Sequence, residues 1–277
     1  QVQLCQDSSL LRHWEQQAMR VWDTHPTAQE RWATVTSDPY YRMGMHRRFA
    51  AFSGPFDRFV YMDADTLLLS DITPIFDQLA THDWVVYDFQ HYDPAHVYDC
   101  GSAKLLEVFS PTQIDREIFC AGFYAAKRGI FNQEQLDALL AYLQAGEAEI
   151  LYCMAPDQTI LNYWVMRSQL SVYNFALQLP QEKATGCCVT SCHFEQQDDR
   201  LFDRGNPLTY LHYIGLSSRL FQRLCEGENL DFPYRDLFLH YRYLRDPHRK
   251  PQYIGKPRPY NQRTLTERLL TKFGLPR

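Results

Sequence analysis

Apolar residues recur along the chain in two spacings, which predict an alternation of helices and strands. Apolar side chains three and four residues apart predict helices in SSLLRHWEQQAMRVWDTH, around Tyr41 to Phe52, in PIFDQLA, in QEQLDALLAYLQ, and from Pro156 through DQTILNYWVM. Short apolar runs predict strands in QVQLC, in the run that ends on Asp63, in WVVYDF (84–89) and in IFCAGFYAAKRGIF (118–131). This alternation is typical of an α/β fold with a mostly parallel sheet.

Two carboxylates interrupt the apolar run FVYMDADTLLLSD at 59–71. Side chains two positions apart on an extended chain point the same way, so Asp63 and Asp65 are expected on one side of a strand end. Paired hard oxygen ligands suit Mn²⁺ or Mg²⁺, which often bind a phosphate as well. An Asp-rich turn, in which the carboxylates bond to their own backbone, is the simpler alternative.

Two further residues are candidates for the same site. Ligands of open sheets bind at the carboxyl ends of the strands, where Asp88 is also expected to lie. His212, in the apolar segment TYLHYIG, is the best candidate for a third metal ligand. By itself, a histidine in such a segment is more often a hydrogen-bonded core residue.

Composition predicts a folded protein with a full core. The chain has 277 residues, of which 45% are hydrophobic, and we expect one large domain over 1–231 with an extension over 232–277. Apolar runs are too short to span a bilayer, and the first residues do not resemble a signal peptide. The eight scattered cysteines fit a reducing compartment, so a cytoplasmic location is expected.

Charge is concentrated at the C-terminal end. Residues 232–277 contain 11 Lys and Arg against 3 Asp and Glu, in a chain whose net charge is −5. Together with interleaved Tyr and Phe, these cations suit an anionic acceptor or peripheral contact with the inner face of a membrane. Nucleic acid is not favoured, because no RNA- or DNA-binding motif accompanies them. Packing of this segment across an acidic body, with Tyr and Phe inward and Arg outward, is the favoured interpretation.

Cys187, Cys188, Cys192 and His193 form a second cluster of metal-ligating residue types. Structural zinc sites combine one close pair of ligands with a second, distant pair, and no second pair follows here. Thiols without a metal are therefore the favoured interpretation.

Four blocks resemble family 8 glycosyltransferases and their bacterial relatives. They are YMDADTLLLSDITPIF, CAGFYAAKRGIF, DQTILNY and LHYIG, in that order within roughly residues 40–222. The resemblance implies a GT-A fold, with a Rossmann-like mixed sheet flanked by helices, and a retaining transfer of sugar from a nucleotide-diphosphate donor such as a UDP- or GDP-sugar. The acceptor, a saccharide, lipid or protein, is left open.

The resemblance also implies roles for individual residues. Asp63 and Asp65 match the family's DxD pair, which binds Mn²⁺ or Mg²⁺ at the donor diphosphate, and His212 matches the distal histidine that completes the ligand set. Gly215 matches the position where the backbone approaches the phosphates.

Donor-sugar contacts are implied in the same way. Asp88 resembles a carboxylate that binds sugar hydroxyls, and Asp157 and Gln158 match the pair beside the anomeric carbon. Arg47 or Arg48, of which Arg48 is favoured, is similar to the arginine that contacts sugar and phosphate.

Three features depart from the family pattern. Cys120 stands before Ala121 and Gly122 where the family commonly has Asn, and Ser218 stands where a Lys is common, with Arg219 beside it. The resemblance also implies that the family's first strand and base-binding loop precede residue 1.

Two other functions fit parts of the pattern. Asp63-Ala64-Asp65-Thr66 fits the DxDxT of haloacid-dehalogenase-type phosphatases, with Asp63 as nucleophile, Asp65 as acid/base and Mg²⁺ as counter-charge. That chemistry needs a later strand that ends in paired acids; Asp198 and Asp199 are paired but follow no apolar strand. A non-catalytic sugar-nucleotide-binding module is the third hypothesis.

Overall fold

The structure is a computed structural model that describes residues 4–261. Its α-helices are α1 (Ser8–Trp22), α2 (Ala28–Ala33), α3 (Thr73–Gln78), α4 (Lys104–Val108), α5 (Pro111–Glu117), α6 (Gln133–Gln144), α7 (Pro156–Arg167), α8 (Phe175–Gln178), α9 (Ser218–Cys225) and α10 (Arg235–Tyr243). Five 3₁₀ helices cover Met43–Ser53, Gln90–Tyr92, Pro94–His96, Glu147–Ile150 and Pro247–Arg249 within the described residues.

The strands are short. They are β1 (Arg58–Met62), β2 (Thr66–Leu68), β3 (Trp84–Val86), β4 (Phe123–Lys127), β5 (Val172–Asn174), β6 (Glu195–Gln197), β7 (Arg200–Asp203), β8 (Asn206–Pro207), β9 (Tyr210–His212), β10 (Leu230–Asp231) and β11 (Arg258–Pro259). Helices and strands alternate through most of the chain, so the α/β class predicted from the sequence is confirmed.

The helices begin where the sequence provides caps. Asp7 accepts hydrogen bonds from the backbone N–H groups of Ser9 and Leu10 at the start of α1. Asn132 and Gln135 form a capping box at the start of α6, and Pro156 lies in the first turn of α7. The predicted starts of these helices are correct, because the caps of α1 and α6 pair N–H groups that a helix start leaves unbonded and a proline in the first turn of α7 has no N–H to pair.

The main sheet has the strand order β1-β4-β3-β5. β4 runs antiparallel to both of its neighbours, and only β3 and β5 are parallel. The mostly parallel sheet expected from the sequence is therefore wrong, and the sheet is mixed. Alternation of helices and strands does not determine direction, because a connection long enough for a crossover can also return a strand antiparallel.

Several predicted boundaries shift. Leu4 and Cys5 are not in a strand, since the chain already turns to cap α1 at Asp7, and residues 1–3 of the QVQLC strand lie outside the described part. The strand in WVVYDF covers only Trp84–Val86. The strand in 118–131 covers only Phe123–Lys127, because the residues before it form a turn. The helix expected around Tyr41 to Phe52 is the 3₁₀ helix Met43–Ser53.

The described chain divides into two compact units. The first comprises the described residues up to Thr66 and from Ser70 to Gly186, and the second comprises Leu67–Leu69 and the described residues from Cys187 onward. The sequence suggested a boundary at 231, whereas this division falls after Gly186.

The first unit has an aromatic core. All five tryptophans of the chain are almost fully buried in it: Trp14, Trp22, Trp32, Trp84 and Trp164. The rings pack closely, and those of Trp84 and Tyr124 stack with their centroids 4.4 Å apart. Large rings bury much apolar surface each, so this core firmly fixes the strand ends that carry the candidate site.

The second unit contains short strands in three small sheets within the described residues. β2 pairs with β9, β6 to β8 form a three-stranded sheet, and β10 pairs with β11. Its core is mainly Leu, Phe and Tyr, and α10 contributes Leu237, Leu239 and Tyr243 to it. Part of the basic, aromatic 232–277 segment thus packs inward, while its residues 262–277 lie outside the described part.

Within residues 4–261, the helices are too short or too polar to cross a membrane.

Candidate functional site

Asp63, Asp65 and His212 come together in the structure. Each offers one ligand atom, and the three atoms lie within 4.8 Å of one another. Asp63 and Asp65 lie in the turn that leads into β2, and His212 is the last residue of β9, which pairs with β2. The pairing of these two strands explains how residues so far apart in sequence meet.

The turn at Asp63 is fixed by backbone hydrogen bonds. The Asp63 N–H donates to the Gly122 carbonyl over 2.9 Å, which continues the antiparallel pairing of β1 with β4 by one residue. The Thr66 N–H donates to the Asp63 carbonyl over 2.9 Å. The chain therefore leaves β1, turns within four residues, and enters β2 with its carboxylates in the turn.

Arg48 links the DxD turn to α7. Its guanidinium bonds to Asp63 over 2.8 Å, to Asp157 over 3.0 Å and to the Ala121 carbonyl over 2.7 Å. The Arg48 side chain is only 6% exposed, and it lies over the Tyr61 ring, 4.9 Å from the centroid. The Tyr61 hydroxyl donates to the same Asp63 oxygen over 2.8 Å. Asp63 is thus oriented by two donors.

The charges in this network support one another. Burial opposes the positive charge of Arg48, but Asp157 and Asp63 outweigh burial and raise the arginine's pKa. A buried arginine between two carboxylates stays ionised, and its carbonyl contact satisfies a further N–H. Arg47, the alternative from the sequence, is 60% exposed and bonds to Glu15. The structure therefore brings Arg48, and not Arg47, to the candidate site.

The turn Cys120–Gly122 is bonded residue by residue. The Cys120 N–H donates to an Asp88 carboxylate oxygen over 3.1 Å, and the Ala121 N–H donates to the Gln158 side-chain oxygen over 3.0 Å. The Cys120 sulfur accepts from the Gly122 N–H over 3.5 Å. A sulfur is a weak acceptor, so this contact stabilises the turn only weakly.

Asp157 and Gln158 occupy the first turn of α7. The buried Asp157 carboxylate is paired with Arg48 and lies where the helix dipole favours negative charge. Both polar atoms of the Gln158 amide are bonded. The oxygen accepts from the Ala121 N–H, and the nitrogen donates to the His96 carbonyl over 3.1 Å. The predicted pair thus ties α7 to the turn at 120–122 and to the loop after β3.

Asp88 is held at the end of β3. It is buried, and its second carboxylate oxygen accepts from the Gln90 N–H over 2.8 Å. The backbone of Asp88 is also bonded, because the Asn174 side-chain amide donates to the Asp88 carbonyl over 3.0 Å. Arg48, Asp63, Asp88, Ala121 and Gln158 therefore lie in one bonded region of the first unit.

Sequence reasoning missed Asn162. Its side-chain oxygen accepts from the Phe119 N–H over 3.0 Å, and its nitrogen donates to the carbonyls of Phe119 and Gln158 over 2.9 Å each. One buried amide thus fixes the residue before the turn to the helix that carries Gln158. Its position was visible in the sequence as the one amide inside the apolar run TILNYWV, four residues after Gln158 on the same helix face.

Gly215 and Arg219 lie after His212 in the second unit. Gly215 has a φ of +81°, a conformation that favours glycine, so it allows the sharp turn after β9. Arg219 is exposed in the first turn of α9, where its N–H donates to the Ser217 hydroxyl.

The cysteine cluster does not gather as a zinc site. Within residues 4–261, Asp63, Asp65 and His212 are the only group of three potential ligands that meets so closely. The Cys187 and Cys188 sulfurs lie 3.8 Å apart, but His193 contacts Asp203 and Cys192 is exposed. Cys188 is nevertheless perturbed: the hydrogen bond from Cys187 and, more weakly, His212 lower its pKa to about 7, against the opposing effect of burial.

The acid pair that a phosphatase would need lies elsewhere. Asp198 and Asp199 lie in the turn between β6 and β7, and β6 is exposed along its length. They do not follow a buried strand, so the DxDxT interpretation gains no second acid site from them.

Comparisons of this chain with family models, with curated proteins and with solved structures gave no match.

Proposed function

We propose that this chain is a metal-dependent glycosyltransferase that transfers a sugar from a nucleotide-diphosphate donor, such as a UDP- or GDP-sugar, to an acceptor. The observation that carries the proposal is the close group of Asp63, Asp65 and His212, with Arg48 bonded to one of its carboxylates. A cation site beside a buried arginine is suited to a diphosphate, which carries negative charge on adjacent phosphates.

The ligand set suits Mn²⁺ and also accommodates Mg²⁺. Two carboxylates and one imidazole provide two hard oxygens and one nitrogen, and an octahedral ion would keep positions for diphosphate oxygens or water. When bound, such an ion would supply positive charge for the diphosphate as it leaves the sugar.

The sugar would be held by groups from the first unit. Asp88 and Asp157 offer carboxylate oxygens to hydroxyls, and Arg48 orients Asp157. A carboxylate paired with arginine at 3.0 Å is a weakened nucleophile, and the neutral Gln158 amide is a poor one. These groups therefore position the sugar and are not suited to forming a covalent intermediate.

Retention would then follow from attack on the same face. The bond between the anomeric carbon and the phosphate oxygen breaks, and the acceptor oxygen forms its bond on the side that the diphosphate leaves. The leaving phosphate oxygen takes the acceptor's proton, so no protein base is consumed. Asp88, Asp157 and Gln158 hold the sugar while its anomeric carbon gains positive charge.

The first test is ligand binding measured by thermal unfolding. UDP or GDP should raise the unfolding temperature of the wild type only when Mn²⁺ is present, because a ligand stabilises the state that it binds. Asp65→Asn should lose this response. Asp77→Asn, which changes an exposed aspartate of α3, is the matched control and should keep it.

The second test is turnover. A set of UDP- and GDP-sugars is assayed for Mn²⁺-dependent release of the nucleotide diphosphate, which the wild type should catalyse and Asp65→Asn should not. Phosphate release from an aryl phosphate, without a nucleotide requirement, would replace the proposal with the phosphatase. Nucleotide binding without release from any sugar nucleotide would favour the non-catalytic module.

A further inference from the structure

Two adjacent thiols of the second unit face each other. Cys187 and Cys188 are neighbours in sequence, and one thiol donates a hydrogen bond to the other, with the sulfurs 3.8 Å apart. Successive side chains of an extended chain point in opposite directions, so this convergence is not the ordinary arrangement of neighbours. Cys187 is buried, whereas Cys188 is partly exposed and can meet a small solute.

The backbone of this pair is bonded to His212. The His212 N–H donates to the Cys187 carbonyl over 2.7 Å, and the Val189 N–H donates to the His212 carbonyl over 3.0 Å. Cys188 and His212 thus form a parallel bridge at the end of β9. A change in the orientation of the peptide between Cys187 and Cys188 therefore acts directly on the N–H group of the histidine.

We propose that Cys187 and Cys188 are an oxidation site, which hydrogen peroxide converts into a disulfide between the two residues, and that this bond displaces His212. The Cys188 sulfur, after loss of its proton, attacks one peroxide oxygen. The O–O bond breaks, and a sulfenic acid and one water are formed. The Cys187 sulfur then attacks the Cys188 sulfur, the S–S bond forms, and the displaced hydroxide takes the Cys187 proton as a second water.

Closure of this disulfide must distort the backbone. Bonded sulfurs lie about 2.05 Å apart, so the two sulfurs have to approach from 3.8 Å. Adjacent Cα atoms are only about 3.8 Å apart, whereas disulfides usually join Cα atoms that are about 4.4–6.8 Å apart. The small ring therefore strains the peptide between Cys187 and Cys188, whose carbonyl accepts the hydrogen bond from His212.

The same strain makes the modification reversible. Strained disulfides are more easily reduced than relaxed ones, and they are typically labile or regulatory. In compartments that keep thiols reduced, disulfides are usually transient and serve as redox sensors or in catalysis. The effect on metal binding rests on the proposed function, in which His212 is a ligand. Loss of a contact that orients a ligand lowers metal affinity about ten- to hundredfold.

The first measurement is mass spectrometry of the Cys192→Ser protein. Trypsin releases residues 184–200 as one peptide, because Lys183 precedes it and Arg200 ends it, and in this variant Cys187 and Cys188 are its only cysteines. After brief treatment with hydrogen peroxide and alkylation of the remaining thiols, we expect this peptide to lack two hydrogens and to carry no alkyl group. Dithiothreitol should restore two thiols that can be alkylated.

The second measurement is Mn²⁺ binding to the same protein, followed by the electron paramagnetic resonance signal of the free ion. Peroxide should weaken binding about ten- to hundredfold, and dithiothreitol should restore it. The matched control carries Cys188→Ser in addition to Cys192→Ser. It cannot form the bond, so it should bind Mn²⁺ equally before and after peroxide.

A peptide whose two thiols can still be alkylated after peroxide would overturn the proposal, as would a disulfide that forms without weakening Mn²⁺ binding. Equal sensitivity of the control to peroxide would also overturn it, because the loss would then come from another residue. Absence of Mn²⁺ binding to the reduced protein would instead count against the proposed function, while the peptide mass still decides whether the disulfide forms. The two failures can therefore be told apart.

Discussion

Two regions that carry predicted site residues are built differently. Around Arg48 in the first unit, buried groups from distant parts of the sequence are joined by several hydrogen bonds and two ion pairs. His212 in the second unit lies on a pair of three-residue strands, and its chain direction is set by a turn at Gly215. The first region depends on long-range contacts between charged groups, and the second depends on local backbone conformation.

This difference predicts how much free energy of unfolding a substitution costs in each region. In the first region, removal of one partner leaves a buried charge or amide unpaired, and such changes are strongly destabilising. In the second, a change of backbone preference at a turn costs about 1 kcal/mol.

Arg48→Met should destabilise the protein by about 3–5 kcal/mol, because Asp157 would remain buried without its cation. Urea unfolding followed by circular dichroism measures the loss. The matched control is Arg47→Met at the neighbouring position, where the side chain is 60% exposed and should contribute less than about 1 kcal/mol. Equal losses for the two variants would contradict the structure of this network.

Asn162→Ala should cost about 1–3 kcal/mol, since it leaves the Phe119 N–H and the Phe119 carbonyl without their side-chain partner. The same urea experiment applies, with the exposed Gln144→Ala as control. The variant should also weaken Mn²⁺-dependent UDP or GDP binding, because the turn at 120–122 loses its anchor. A loss no larger than that of the control would show that the amide is dispensable.

Acid should weaken the first unit through two buried histidines. His25 and His46 accept hydrogen bonds from the Thr27 N–H and the Trp22 indole, respectively, so each is bound as the neutral ring. Burial lowers both pKa values below 6.5, with Leu151 opposing at His25 and Asp157 at His46. The unfolded chain therefore takes up protons first, and the free energy of unfolding falls as pH drops below 6.5.

Each histidine should contribute a slope of up to about 1.4 kcal/mol per pH unit between its folded and unfolded pKa values. Urea unfolding at several pH values measures this slope, and His25→Gln should reduce it. His13→Gln changes an exposed histidine of α1 and should leave the slope unchanged. A wild-type stability that does not fall between pH 6.5 and 5 would contradict the burial of these rings.

Gly215→Ala should cost about 1 kcal/mol, because an alanine is strained at a φ of +81°. Gly44→Ala is a close control, since a Cβ would meet no atom within 4 Å at either position and only Gly215 has a positive φ. Gly44→Ala should be neutral or slightly stabilising through its effect on the unfolded chain. Thermal unfolding compares the two variants, and an equal change would remove backbone strain as the explanation.

Local signals in the sequence predicted the elements better than the sheet. The starts of α1, α6 and α7 and the apolar strand before Asp63 were predicted correctly, because they depend on neighbours in the chain. The direction of the strands was not predicted correctly. β4 runs antiparallel to its neighbours, and the length of its connection fits either direction.

The candidate site shows the same limit. Asp63, Asp65 and His212 were selected by residue type and by the family resemblance, and the structure brings them together. The support from Asn162, Tyr61 and Asn174 was not predicted, because hydrogen bonds between distant backbone and side-chain groups leave no periodic pattern in the sequence.

The confinement of every tryptophan to the first unit has a practical consequence for spectroscopy. Intrinsic tryptophan emission from this protein reports on the first unit, so a loosening restricted to the β2–β9 pair would leave the emission spectrum almost unchanged. Phe238→Trp, in the aromatic cluster with Phe221 and Phe232, would give the second unit its own fluorophore. With that variant, the two units could be followed as separate optical signals.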